Sequence, residues 1–116
     1  MFIISGLNEI AVYLSLAVNQ CNWGVGTTAK DYADLGLEDV VLTKTVTSTE
    51  LKGNGEVLVV GEIDYAEANG ELIAETGLKT SLGQMTVSGH SPLEKNAAEK
   101  YNYFYDIYVV PKEALL

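Results

Sequence analysis

The sequence predicts a mainly β chain: an antiparallel β-sandwich or jelly-roll-like domain with one N-terminal helix. Three observations predict it. An apolar stripe at helical spacing is confined to residues 5–18. From residue 40 onward, runs rich in Val, Thr and Tyr dominate. Turn signals, Asn-Gly among them, interrupt those runs at short intervals, as expected of an all-β chain.

Each element has its own warrant. Leu7, Ile10, Ala11, Leu14 and Val18 fall on one side of a 3.6-residue period, so residues 5–18 form a helix with one face to bury. Ser5 stands where an N-cap is expected, and Glu9 lies early enough to favour the positive helix end. Residues 20–26 read as a short strand ending in a glycine-containing turn. Residues 27–39 are polar and irregular, and carry Asp31, Asp34, Glu38 and Asp39. Residues 40–48 form a strand, LKGNG (51–55) a turn, and 56–65 the next strand, with Val57, Val59 and Ile63 on one face and Gly61 breaking the row. AEANG (66–70) is a second turn. Residues 71–78 and 84–90 are strands around a Ser-Leu-Gly turn, and 91–100 is a polar connection. The last strand, 101–110, holds Tyr101, Tyr103, Tyr105, Ile107 and Val109 on one face, and Phe104, Tyr108 and Val110 on the other.

Length and composition bound the rest. The 116 residues suit one domain, 1–116, and 47% of them are hydrophobic, enough for one core. Cys21 is the only cysteine, so an internal disulfide and paired-cysteine zinc sites are excluded. Beside Trp23 it reads as a small buried apolar residue. The formal net charge is −9, and all seven basic residues are lysines. Such a chain repels a phosphate backbone, so no nucleic-acid partner is expected. The apolar start lacks a basic leader region and is interrupted by Asn8 and Glu9. No membrane partner is expected, and the chain reads as soluble and made in the cytoplasm.

Chemistry-bearing patterns are sparse. His90 is the only histidine, which excludes a two-histidine metal site, and no nucleophile-elbow motif is present. It reads as an ordinary turn residue. Asp31, Asp34, Glu38 and Asp39 do not follow the calcium-loop spacing, so a solvated loop is expected and no metal. WGVGTT (23–28) lacks the third glycine of a dinucleotide loop and the Gly-Lys of a phosphate loop. Glu67, Glu71 and Glu75 are spread over a turn and a strand. Glu71 and Glu75 alternate onto one face, and a hydrolase would have to act through that pair or through His90. No catalytic residue and no cofactor is expected. The tyrosine strand is the recognition candidate: it could line the core, form a protein interface or stack on sugar rings.

The run CNWGVGTTAKDYADLGLEDVVLTKTV (21–46) resembles a segment of small structural proteins of tailed bacteriophages. There a helix and a strand precede a "VGTGTTAP"-like turn and a polar loop with a "DTAL"-like element. Gly24, Val25, Gly26, Thr27, Thr28 and Ala29 carry the first part, and Ala33, Asp34 and Leu35 the second. GEIDYAEANGELIAETGL (61–78) is similar to that family's strand–"EANG"–strand–"EAGL" hairpin, through Glu67, Ala68, Asn69, Gly70, Glu75, Gly77 and Leu78. The turn is shorter than the family's, no Pro follows Ala29, and the tyrosine strand fits only loosely.

The resemblance implies a non-catalytic virion component, with Gly24, Gly26, Asn69, Gly70 and Gly77 as motif turns. A capsid decoration or head-fibre subunit is the expected role, bound to other capsid or tail proteins as a homo-oligomer, a trimer foremost. The alternative is a tail-tip or tail-fibre module that recognises a host glycan or protein. The expected contact residues are Tyr101, Tyr103, Tyr105 and Tyr108, with the apolar termini Met1–Ile4 and Ala114–Leu116.

Overall fold

The computed structural model describes residues 4–31 and 33–110. The apolar termini named above lie outside the residues whose side chains are described. Helix α1 spans Ile4–Ala17. Its stripe faces inward as expected: Leu7, Ala11 and Val18 are buried, and Ile10 and Leu14 are half-buried. Ser5 lies inside the first turn rather than capping it. The helix is tied to a strand turn by a side chain: Asn8 Oδ1 accepts the Gly55 amide at 2.7 Å.

Seven strands follow among the described residues: β1 (Gln20–Gly24), β2 (Val40–Thr45), β3 (Ser48–Gly53), β4 (Glu56–Ile63), β5 (Leu72–Thr80), β6 (Gly83–Glu94) and β7 (Tyr101–Tyr108). They form two antiparallel sheets, β2-β1-β5-β6 and β3-β4-β7, packed as a β-sandwich with the helix at its N-terminus. The expected fold class holds.

Two segmentations differ from expectation. Residues 40–48 are not one strand. The chain leaves the first sheet after Thr45 and enters the second at Ser48; β3 then runs on to Gly53, and the expected turn at 51–55 narrows to Asn54 and Gly55. The crossing is held from both sides: Val46 N donates to Asn19 O at 3.1 Å, and Thr47 N to Val60 O at 2.8 Å. A Val/Thr run has the same propensity on either side of such a crossing, so composition does not mark it. Residues 91–94 are strand, not connection. Proline is tolerated there because β6 is a sheet edge and its register against β5 jumps between Ile73↔Leu93 and Glu75↔Gly89.

The core lies between the sheets. Cys21 and Trp23 of β1 meet Val57, Val59 and Ile63 of β4, with Ile73, Leu78, Ala11 and Val18 around them. Trp23 is fully buried, and its ring packs edge-on against Tyr103 at 5.7 Å. The break at Gly61 is what admits β1. A Cβ on Gly61 would stand 2.7 Å from Cys21 Sγ and 3.2 Å from the Trp23 ring. Gly61→Ala is therefore expected to destabilise the fold by about 2 kcal/mol through overpacking. Urea unfolding, with an unchanged slope and a lower midpoint, checks this.

Candidate functional site

The most elaborate polar site is built on Glu75, in the middle of β5. Its side chain is fully buried, and four donors converge on its two oxygens. Oε2 accepts the amides of Gly26 at 2.9 Å and Asp39 at 2.8 Å. Oε1 accepts the Glu38 amide at 2.8 Å and the Lys30 ammonium at 2.6 Å. All four donors belong to the 25–39 loop, which this one carboxylate folds down against the outer face of the first sheet. Burial pushes the Glu75 carboxyl up. Lys30 and the amides of Asp39, Glu38 and Gly26 outweigh it, so the pKa lies below the usual carboxylate value.

Two motif glycines make room for this clasp. A Cβ on Gly24 would strike Glu75 Oε2 and the Asp39 carbonyl, and one on Gly26 would lie 2.7 Å from Glu75 Oε2. Gly77 is not a turn residue; it lies within β5. Its missing side chain leaves space for Gln84, which bridges β1 and β6: Asn22 Nδ2 donates to Gln84 Oε1 at 2.9 Å, and Gln84 Nε2 to Asn22 Oδ1 at 3.1 Å. Asn69 and Gly70 do form a turn, with Gly70 at a φ of 84°. Asn69 Oδ1 accepts the Lys95 ammonium at 2.9 Å.

Lys95 escaped the sequence reading, which left it in a polar connection. It is fully buried, and its ammonium also donates to Asn96 O at 2.9 Å and Tyr65 O at 3.3 Å. It thereby ties the turn after β4 to the one after β6. Three carbonyl oxygens from two separate turns hold it, and no spacing in the sequence announces such a cage.

The other candidate groups are also engaged. Glu67 Oε1 accepts Lys44 Nζ at 2.6 Å, which holds its pKa below the usual value despite partial desolvation. Glu71 precedes β5, and its backbone amide and carbonyl bond Ala68 and Lys95. It does not share an open face with the buried Glu75, so the paired-carboxylate arrangement does not form. Asp31 and Asp34 cap their own turn, through Ala33 N to Asp31 Oδ1 at 2.6 Å and Asp31 N to Asp34 Oδ2 at 2.9 Å. Among the described residues no group of three His, Cys, Asp or Glu could hold a metal ion. His90 lies inside β6 rather than in a turn, at the register jump. Its Nδ1 meets Ser91 O at 2.8 Å and its Nε2 meets the Tyr103 hydroxyl at 2.9 Å. Cys21 is buried as expected; burial raises its pKa to about 11, with Lys44 opposing, so the thiol stays protonated at neutral pH.

The four tyrosines chosen for contacts divide between two faces. Tyr101, Tyr103 and Tyr105 point inward and pack against the core. The Tyr105 hydroxyl shares a 2.6 Å hydrogen bond with Thr76, and burial pushes the Tyr103 hydroxyl up to about 12, with Tyr101 adding to the shift. Tyr108 points outward and is 61% exposed, on the same face as Phe104 at 67%. An open cleft of about 600 Å³ runs between His90, Ser91 and Leu93 of β6 and residues 100–104 beside and within β7.

No helix among the described residues is long and apolar enough to cross a membrane. No family model and no curated protein matches the chain.

Glu75→Gln should cost about 3 kcal/mol, because it removes the charge that all four donors face. Lys30→Met should cost less, since three amides still hold the carboxylate. Because the folded pKa is lowered, the stability from Glu75 is complete above the unfolded value of about 4.3 and is lost as pH falls through the folded one. The difference in urea midpoint between the native chain and Glu75→Gln, measured from pH 7 down to pH 3, should therefore shrink on acidification.

Proposed function

We propose that this chain is a non-catalytic structural protein of a tailed-bacteriophage particle, a capsid decoration or head-fibre subunit acting through protein–protein contacts. One observation carries the reading. The glycines that bear the resemblance, Gly24, Gly26 and Gly77, stand where a side chain would displace Glu75 or Gln84. Three of the positions that carry the resemblance are thus ones where this fold has no room for a side chain, which supports a structural reading of the motif. The engagement of Glu75, Glu67 and His90 in structural bonds supports a role in which no side chain is a reactant. The net charge of −9 keeps free subunits apart from one another and from nucleic acid before assembly.

A receptor-binding module of a tail tip or tail fibre is the second reading. The outward Phe104 and Tyr108 favour it, because exposed aromatic faces stack on sugar rings. A glycan array separates the two.

The decoration reading expects a closed homo-oligomer, a trimer, in light scattering across a concentration series. It also expects the chain in purified particles at a fixed ratio to the major shell protein. A monomer at all concentrations would remove the oligomer, and absence from particles would remove the virion role.

A further inference from the structure

The geometry points to a strand-acceptor groove: the free edge of β7 takes up one extended segment of another protein, with apolar residues at alternate positions and a Lys or Arg set against Asp106. This inference stands on the edge itself and is independent of the virion reading.

The ladder decides which backbone groups are free. Val109 N donates to Gly55 O at 2.8 Å, continuing the register Glu56↔Tyr108. In an antiparallel pair, bonded and non-bonded positions alternate. Ile107, Tyr105, Tyr103 and Tyr101 therefore bond to β4, while Asn102, Phe104, Asp106 and Tyr108 turn their N–H and C=O groups to the other side. Among the described residues no strand lies there.

Among the described residues the other edges are more interrupted than this one, whose single charge is Asp106. β6 carries Pro92 and two register breaks, β2 meets a break opposite Trp23 and Gly24, and β3 carries Glu50, Lys52 and a break near Gly53. β7 is eight residues long, pairs with β4 without a break, and holds no Pro and no Lys. An edge of that kind is a template for another strand.

The sandwich leaves a lane for it. β1 lies over β4, through Gly61 against Cys21 and Trp23. β5 lies over β7, through Thr76 and Tyr105. β6 is thus the fourth strand above a sheet of three. Ser88, paired with the inward Thr76, is exposed, and the cleft beneath His90 and Leu93 runs along residues 100–104, bounded on the inner side by the Tyr103 bond to His90 and the Tyr101 bond to Glu94 O. A second copy cannot pair its own β7 here antiparallel, because its β5 would have to occupy the place of β6. A single extended segment fits. Its residues beside Tyr101, Tyr103 and Tyr105 would face beneath β6, which calls for apolar side chains. On the outer face Asp106 is the one charge of β7, in a chain of net charge −9, which calls for a cation.

The test uses the full chain and a panel of short synthetic peptides with Val or Ile at alternate positions and Thr, Lys or Glu between. Fluorescence polarisation should show Lys-bearing peptides binding, with amide exchange slowed at Asn102, Phe104, Asp106 and Tyr108. Phe104→Pro removes a free-edge N–H without touching the β4 ladder, and should weaken binding at least about tenfold. Asp106→Lys should transfer the preference to Glu-bearing peptides. Absence of binding by every peptide at about 1 mM would overturn the proposal. So would binding that ignores both substitutions, or protection of the four amides that grows with protein concentration alone, which would make a second copy the occupant.

Discussion

A carboxylate sealed from water is tolerated only when donors replace the water it has lost, and Glu75 meets that condition with four of them. The rest of the first sheet is arranged around this requirement. Gly24 and Gly26 lack side chains so that the oxygens can approach the backbone. The 25–39 loop, polar and without strand or helix of its own, takes its path from three amides aimed at one side chain. Lys30 supplies the countercharge and is itself largely covered, with its side chain 13% exposed. A long loop with little apolar content is thereby ordered by electrostatics, where packing alone would leave it free.

The same economy recurs elsewhere in the molecule. Lys95 gathers two turns on one ammonium, Asn22 and Gln84 bridge the outer face of the first sheet, and Lys44 joins β2 to the turn after β4. Each is a polar group placed where a longer apolar core would otherwise be needed. Several polar side chains are spent in this way, and the described surface also presents the far edge of β7 and the aromatic area of Phe104 and Tyr108.

Much of the fold was legible in sequence because it follows from periodicity. The stripe from Leu7 to Val18, the alternation of the last strand and the two Asn-Gly turns each depend on residues close along the chain, and each is found as expected. The break at Gly61 was visible too, though not its cause, which lies some forty residues away in Cys21 and Trp23. The crossing between β2 and β3 was not legible, since Val46 and Thr47 continue a run that is equally strand-forming on both sides. The last part of β6 was obscured by Pro92, which is compatible with a strand only once that strand is known to be an edge.

By itself, then, the sequence determined the class of fold, the helix face, the strand alternation and the strong acidity, because local spacing and composition are sufficient for each. Tertiary structure alone decided that Glu75 is a buried hub and not an exposed acid, that Gly77 is a strand residue making way for Gln84, and that the tyrosines divide between core and surface. It alone decided that β7 is the last strand of its sheet among the described residues. Those properties depend on which distant segments lie alongside one another, and a burial or a free hydrogen-bonding edge exists only once that pairing is made.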